Sequence, residues 1–430
     1  MAKVKNIADD NFSFLNSIKV NDRYADKLIR HPDFGFCDSG SYAFNALLSG
    51  DLFGGFPLNK FIMVAGQQGS GKSYIGKNNF CYNLMQKGYY IFYYDTEGET
   101  TEDDLERQNG FIPGQYRLVK EPTTVEEFFV SVNGVIDALE EDRGDSIELK
   151  RKVAIILDSQ GNLSTEKAIN DATKGEIKQD MTKAKLLAGM YRSITNRCGN
   201  LGIPMFITNH IYMDPNAGMF GNPEKIAGGE GAKFSASIIL NLYKTFQKEG
   251  KDGEITGVVL NATVTKSRIV KQKLKCPIYL DYGTGMDKFY GLHELAENAG
   301  LLEEYSSSKF PKLVDKVPLE SDGKKTRKKC FVIKDPNKNP EDWIVCTQKQ
   351  LRRKSTIGTI LEPINEYVKK EYKFRPPSLR SDEDDLDLDY DALEEANKKS
   401  KAKIDAEVNA TQTDIKELES KDKGLSGDED

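Results

Sequence analysis

The sequence predicts an α/β fold. A mostly parallel central sheet is flanked by helices and extended by antiparallel strands, with a short N-terminal arm and a small C-terminal domain. Three observations carry this. First, apolar bursts of four or five residues recur: Phe61-Ile-Met-Val-Ala65, Tyr90-Ile-Phe-Tyr-Tyr94, Val153-Ala-Ile-Ile-Leu157 and Met205-Phe-Ile-Thr208. Continuous apolar runs of that length suit strands buried on both faces. Second, helical periods lie between them. The clearest joins Val125, Phe128, Phe129, Val132, Val135, Ile136 and Leu139, and another joins Met181, Ala184, Leu187, Ala188 and Tyr191. Such alternation implies crossovers between parallel strands. Third, Ile238-Ile-Leu-Asn-Leu-Tyr243, the alternating Val258, Leu260, Ala262, Val264 and then Ile278-Tyr-Leu280 follow without long helices between them, so they extend the sheet in antiparallel fashion.

Length and composition bound the rest. The chain has 430 residues, enough for two or three domains at roughly 150 each. Hydrophobic residues make up 38%, so part of the chain is expected to lie outside a core. We read 1–35 as an N-terminal arm, 36–290 as the main domain, 291–380 as the small C-terminal domain and 381–430 as a disordered acidic tail. There is no run of about 18 apolar residues to span a membrane, and residues 1–10 lack the pattern of a secretory signal. Six cysteines without a CxxC pair and only three histidines argue against a zinc framework or disulfide scaffold, which fits a reducing cytoplasm. Residues 381–430 hold 18 acidic and 7 basic side chains, leaving the other 380 residues mildly basic despite a net charge of −6. That asymmetry suggests a polyanionic partner and a tail that competes with it, or a tail that only aids solubility.

The chemistry starts after the first apolar burst. Gly66-Gln67-Gln68-Gly69-Ser70-Gly71-Lys72-Ser73 matches G-x-x-x-x-G-K-S/T, and a helix is expected from Tyr74 to about Gln86. Glycines let backbone N–H groups turn around phosphate oxygens, and the helix N-terminus adds partial positive charge. Lys72 reaches the β- and γ-phosphates and the Ser73 hydroxyl ligates Mg²⁺. Asp158, at the end of another apolar strand, is the second expected Mg²⁺ group; its alternative is a helix cap. The strand directly after the phosphate-loop helix is expected to lie close to the phosphate-loop strand. It ends in Asp95-Thr-Glu97, which places Glu97 to orient and deprotonate a water, with Glu99 and Glu102 as rivals. Lys266 and Arg268 form a cationic pair read as lying on a strand edge, where a charge reaching a neighbouring subunit would be needed, although Lys271, Lys273 and Lys275 also allow a solvated basic face.

These elements occur in a recognisable order: the phosphate loop, Tyr-Tyr-Asp-Thr-Glu97, Asp158-Ser-Gln-Gly-Asn-Leu163, Asp180-Met-Thr-Lys-Ala-Lys185, Thr208-Asn-His210 and Lys266-Ser-Arg268. The sequence thus resembles the RecA-type recombinases, most closely the phage UvsX-like recombinases, over roughly residues 40–290. The resemblance implies a RecA-like ATPase core and a DNA-dependent ATPase that promotes strand exchange. It implies a helical filament on single-stranded DNA, pairing with double-stranded DNA, ATP and Mg²⁺ between subunits, mediator and single-strand-binding proteins as partners, and no membrane. By similarity Glu97 is the catalytic base, His210 the γ-phosphate sensor, and Lys266 and Arg268 the groups that reach the neighbour's ATP.

The segment 211–231 holds five glycines and two prolines in 21 residues and resembles the family's second DNA-binding loop, with Lys225, Gly228 and Gly229 as contacts and Met219 and Phe220 as wedges between bases. The segment 161–176, with Asn162, Lys167 and Lys174, resembles the first. One departure stands out. Thr100-Thr-Glu-Asp-Asp-Leu105 has no aromatic residue where family members stack one on adenine. The rival readings are a hexameric helicase on the same core, and an ATP-switched single-strand-binding mediator without strand exchange; the presence of Glu97 argues against the mediator.

Overall fold

The computed structural model describes residues 33–144, 151–175, 182–213, 224–227, 233, 235–248, 255–320 and 323–374. Residues 1–32, Met219, Phe220, Gly228, Gly229 and the tail from 375 therefore lie outside the described residues.

A two-stranded ribbon, β1 (Phe36–Cys37) with β2 (Phe56–Pro57), frames helix α1 (Tyr42–Ser49). Ser41 caps that helix by accepting from the Phe44 amide. β3 (Phe61–Gly66) then leads into a helical run that is α over Lys72–Tyr74 (α2), π over Ile75–Cys81 and α again over Tyr82–Gln86 (α3). β4 (Tyr89–Asp95) and β5 (Tyr116–Val119) precede α4 (Val125–Arg143), which opens on a reciprocal capping box between Thr124 and Glu127. After β6 (Lys152–Asp158) come α5 (Glu166–Thr173) and α6 (Thr182–Leu201). β7 (Met205–Met213) and β8 (Glu224–Ile226) follow, then the long antiparallel group β9 (Ile238–Lys248), β10 (Ile255–Ser267), β11 (Lys275–Asp281) and β12 (Gly285–Met286).

Among the described residues these strands form one ten-stranded sheet, ordered β12-β11-β10-β9-β3-β7-β6-β4-β5, with β8 on β7. The pairs β9–β3–β7–β6–β4–β5 are parallel and β9–β10–β11–β12 antiparallel, the mixed sheet that the sequence pattern predicts. Alternate residues of the apolar bursts feed opposite cores. Ile62, Val64, Ala154 and Ile156 join the cluster built with α1 and the π stretch, whereas Phe61, Met63, Ile155 and Leu157 join the one built with α4 and α6. This is why those runs carry no polar face.

One expectation fails here. β4 is not close to the phosphate-loop strand, because β7 and β6 lie between them. Strand order follows from where crossovers land, and adjacency in sequence does not report it.

The remaining chain adds α7 (Leu292–Asn298) and a three-stranded antiparallel sheet of β13 (Leu302–Glu304), β14 (Cys330–Ile333) and β15 (Ile344–Thr347), followed by α8 (Gln348–Leu351) and α9 (Leu361–Tyr372). Cys330, Val332 and Val345 pack with Leu313 and Val317 in a small cluster, while Phe331, Ile333, Ile364 and Val368 join the larger core beside α1. Asn365 accepts from the Leu52 amide at 2.7 Å and Lys369 pairs with Asp51 at 3.1 Å. No helix among the described residues is long and apolar enough to cross a membrane.

Candidate nucleotide and nucleic-acid site

The parallel strands β3, β7, β6 and β4 end on the same side of the sheet, and the site is built from those ends. In the phosphate loop Gly69 and Gly71 have φ of 66° and 80°, backbone values that cost other residues roughly 1–2 kcal/mol. Lys72 is buried, and its Nζ donates to the carbonyls of Gly66 (3.1 Å) and Gln67 (2.9 Å). Burial pushes its pKa down, and the charges of Asp158 and Glu97 push it back up in part. The ammonium is thus held inside the loop, facing the carboxylates.

Asp158 ends β6 and is 4% exposed. Its Oδ1 accepts from Ser73 Oγ (3.1 Å) and Thr208 Oγ1 (2.5 Å), and its Oδ2 accepts from Tyr93 Oη (2.8 Å). Burial, and then the charge of Asp158, raise the Tyr93 phenol well above its ordinary pKa, so it remains a donor. The sequence alone does not mark Tyr93 or Thr208 as site residues, since Tyr93 sits inside an apolar burst and Thr208 closes one.

Asp95 ends β4, but its carboxylate turns inward. It accepts from the amides of Glu97 and Gly98, each at 3.0 Å, and of Thr100 at 2.8 Å, and so shapes the turn that presents Glu97. That turn is tied to β6 through the Thr96 amide on Asp158 O (2.9 Å) and Thr96 Oγ1 on Ser159 O (2.7 Å). This tether is how Glu97 reaches the site although its strand stands apart from β3. Glu97 Oε1 lies 3.4 Å from His210 Nε2, and His210 is level with Gly66 across the β3–β7 pair. A cleft of about 400 Å³ runs from Ser73, Glu97 and Asp158 to Asn78 and Asn109. Glu99 lines it; Glu102 does not. At the far end Asn109 donates to Asn78 (2.7 Å) and Gln108 to Asp104 (2.8 Å).

The two segments read as DNA-binding loops hold regular structure in their described residues. Gln160–Asn162 is a 3-10 turn and Glu166–Thr173 a helix capped by Thr165, which puts Asn162 on the turn, Lys167 on the helix and Lys174 at its C-cap, all three exposed. In the second segment β7 runs past His210 to Met213 and β8 returns beside it, pairing Ile211 with Ile226 and Tyr212 with Lys225. Buried Ile211 and Ile226 anchor this hairpin, a pairing too short to show as a period in sequence. The two segments meet at their roots: Gln160 Nε2 (3.3 Å) and Asn209 Nδ2 (2.9 Å) both donate to the Ala227 carbonyl, and Lys183 Nζ donates to Gly161 O at 2.9 Å.

Lys266 and Arg268 lie elsewhere. β10 pairs with β9 as far as Ser267 but with β11 only from Gly257 to Thr263, so among the described residues Lys266 lies on a stretch with a strand on one side alone, and Arg268 follows the end of the strand. Ser267 is level with Ile238, the first residue of β9, which places Lys266 and Arg268 at the end of the sheet opposite the phosphate loop. Lys266 Nζ donates to Lys233 O at 2.5 Å, and burial lowers its pKa with help from Arg268. Arg268 lines a second cleft with Lys60, Arg192 and Ser237.

This arrangement has relatives. The "Recombination and repair protein" of Enterobacteria phage T4 is 31% identical over 260 residues, covering 60% of this chain and 62% of its own. "Protein RecA" of Thermotoga sp. (strain RQ2) is 25% identical over 255 residues, covering 59% of this chain and 66% of its own. "Protein RecA" of Mycoplasmopsis pulmonis is 27% identical over 275 residues, covering 61% and 72%. The chain thus spans just under two thirds of the length of the first two. The RecA N-terminal domain family matches residues 29–287, a stretch that takes in every strand from β1 to β12, and the chain belongs to that family.

Proposed function

We propose that this chain is an ATP-dependent DNA strand-exchange recombinase. It forms a helical filament on single-stranded DNA and pairs that strand with homologous duplex in recombination, repair and recombination-dependent replication. One observation carries the reading. β6, which ends in Asp158, leads directly into the segment 161–176, and β7, which carries His210 beside Glu97, runs into the segment 211–231, so the state of the γ-phosphate can be passed to the grip on DNA.

In the proposed mechanism the loop amides from Gly66 to Ser73 and the Lys72 ammonium bind the ATP phosphates. Ser73 Oγ and Asp158 Oδ1, 3.1 Å apart, are hard oxygen donors of the kind Mg²⁺ takes, and no cluster of three or more metal-ligating side chains exists among the described residues. That fits an ion held mainly by phosphates and water. The ion would supply charge neutralisation at the phosphates. Glu97 orients a water and accepts its proton, with His210 beside it to read the γ-phosphate. Lys266 and Arg268 reach the nucleotide of the adjoining subunit and stabilise the charge that develops there. Asn162, Lys167, Lys174 and Lys225 contact the DNA backbone, with the outlying Met219, Phe220, Gly228 and Gly229 completing the grip. The N-terminal arm to residue 35 and the acidic tail from 381 would serve assembly and restraint of duplex entry, in a reducing cytoplasm with mediator and single-strand-binding proteins.

Hydrolysis measured with and without single-stranded DNA tests this reading. Turnover should rise several-fold with DNA, and electron microscopy with ATP should show open helices. Equal rates, or closed rings, would remove the filament reading.

A further inference from the structure

The nucleotide cleft holds a second lysine that the mechanism above does not use. Lys77 lies on the π-helical stretch Ile75–Cys81, one turn beyond Lys72, and lines the cleft. Widened turns of this kind often occur at functional positions in helices. Its Nζ donates to Thr100 Oγ1 at 2.9 Å and sits 5.5 Å from the centre of the Tyr93 ring. Thr100 is 4% exposed, and its amide is held by the Asp95 carboxylate that also takes the amides of Glu97 and Gly98. A short series of bonds therefore runs from Lys77 through Thr100 and Asp95 to the backbone of Glu97. Tyr93, under the same ammonium, carries the hydroxyl that holds Asp158.

We infer that Lys77 is a positioning residue: by bonding Thr100 it clamps the turn that bears Glu97 to the phosphate-loop helix. β4 is separated from β3 by two strands, so nothing in the sheet itself fixes that turn against the phosphate loop. The Thr96 contacts tie the turn to β6, and Lys77 ties it to the helix that begins at Lys72. A base held from both sides keeps its water in line, and small displacements at such positions cost rate more than affinity. This inference rests on Glu97 acting as the base.

The test compares ATP turnover, with single-stranded DNA present, in Lys77→Met, Thr100→Val and Thr100→Ser. The clamp predicts kcat reduced about tenfold in Lys77→Met and in Thr100→Val, KM for ATP within about twofold of wild type, and recovery in Thr100→Ser. Lys77→Met with Thr100→Val together should be little worse than either alone. A raised KM in Lys77→Met with a silent Thr100→Val would make Lys77 a direct ligand of the nucleotide and overturn the clamp, and so would unchanged kinetics in both. If Lys77→Met fails to fold by thermal melting, the Thr100→Val and Thr100→Ser pair decides alone. Glu97→Gln separates the two levels. Full turnover in Glu97→Gln would sink the base assignment and the clamp with it; loss there beside normal rates in Lys77→Met and Thr100→Val would sink only the clamp.

Discussion

The two ends of the central sheet differ in chemistry. At the end where β3, β6 and β4 finish, the cleft is lined by the carboxylates Asp95, Glu97, Glu99, Asp104 and Asp158 around a glycine loop. At the opposite end, where β10 finishes and β3 and β9 begin, the cleft is lined by Lys60, Arg192 and Arg268 with hydroxyls and amides, and Lys266 lies beside it. On the proposed reading one end offers a base, metal ligands and the lysines Lys72 and Lys77, set among more carboxylates than cations. The other offers cations with no phosphate loop. On the proposed reading these are two halves of one site, completed when subunits stack head to tail, an arrangement that gives an open helix when its rotation does not close.

The sharpest way to break the comparison is at the loop. Lys72→Ala should abolish ATP turnover, a fall of at least about a hundredfold, as measured by phosphate release. Persistent hydrolysis would mean the glycine loop is not the nucleotide end. The division into halves has its own test. Glu97→Gln and Arg268→Ala should each be nearly inactive alone. Mixed in equal amounts they should recover up to about a quarter of wild-type turnover, because about one junction in four pairs an intact Glu97 with an intact Arg268. No recovery on mixing would place both residues in one subunit's site. The smallest effect is expected away from both ends. Lys225, exposed on β8, should when changed to Ala weaken single-strand binding modestly and reduce the slope of log affinity against log salt by about one. An unchanged slope would take the hairpin off the DNA.

What the sequence made legible was local. The phosphate loop is one contiguous string whose spacing encodes its job, and the apolar bursts that became β3, β4, β6 and β7 announce burial on two faces without any knowledge of neighbours. What it hid was relational. Tyr93 reads as core until its hydroxyl is seen on Asp158, 65 residues away. Thr208 reads as the polar end of a burst, and Lys77 as an ordinary helix lysine, until each partner is known. The placement of β4 failed for the same reason, since the position of a strand depends on crossovers that no window of sequence contains. The two segments read as loops hid a helix and a hairpin whose apolar anchors are too few to announce themselves.

The bond between Asn365 and the Leu52 amide bears on how this protein can be shortened. Ile360, Ile364 and Val368 on and beside the last described helix are fully buried against the core that α1 shares. A fragment trimmed back to residue 290 to isolate the large sheet would bare that apolar surface and leave the Leu52 amide without its acceptor, inviting aggregation rather than a minimal fold. Biochemists seeking a compact version should keep the chain through Phe374 and begin their deletions beyond it.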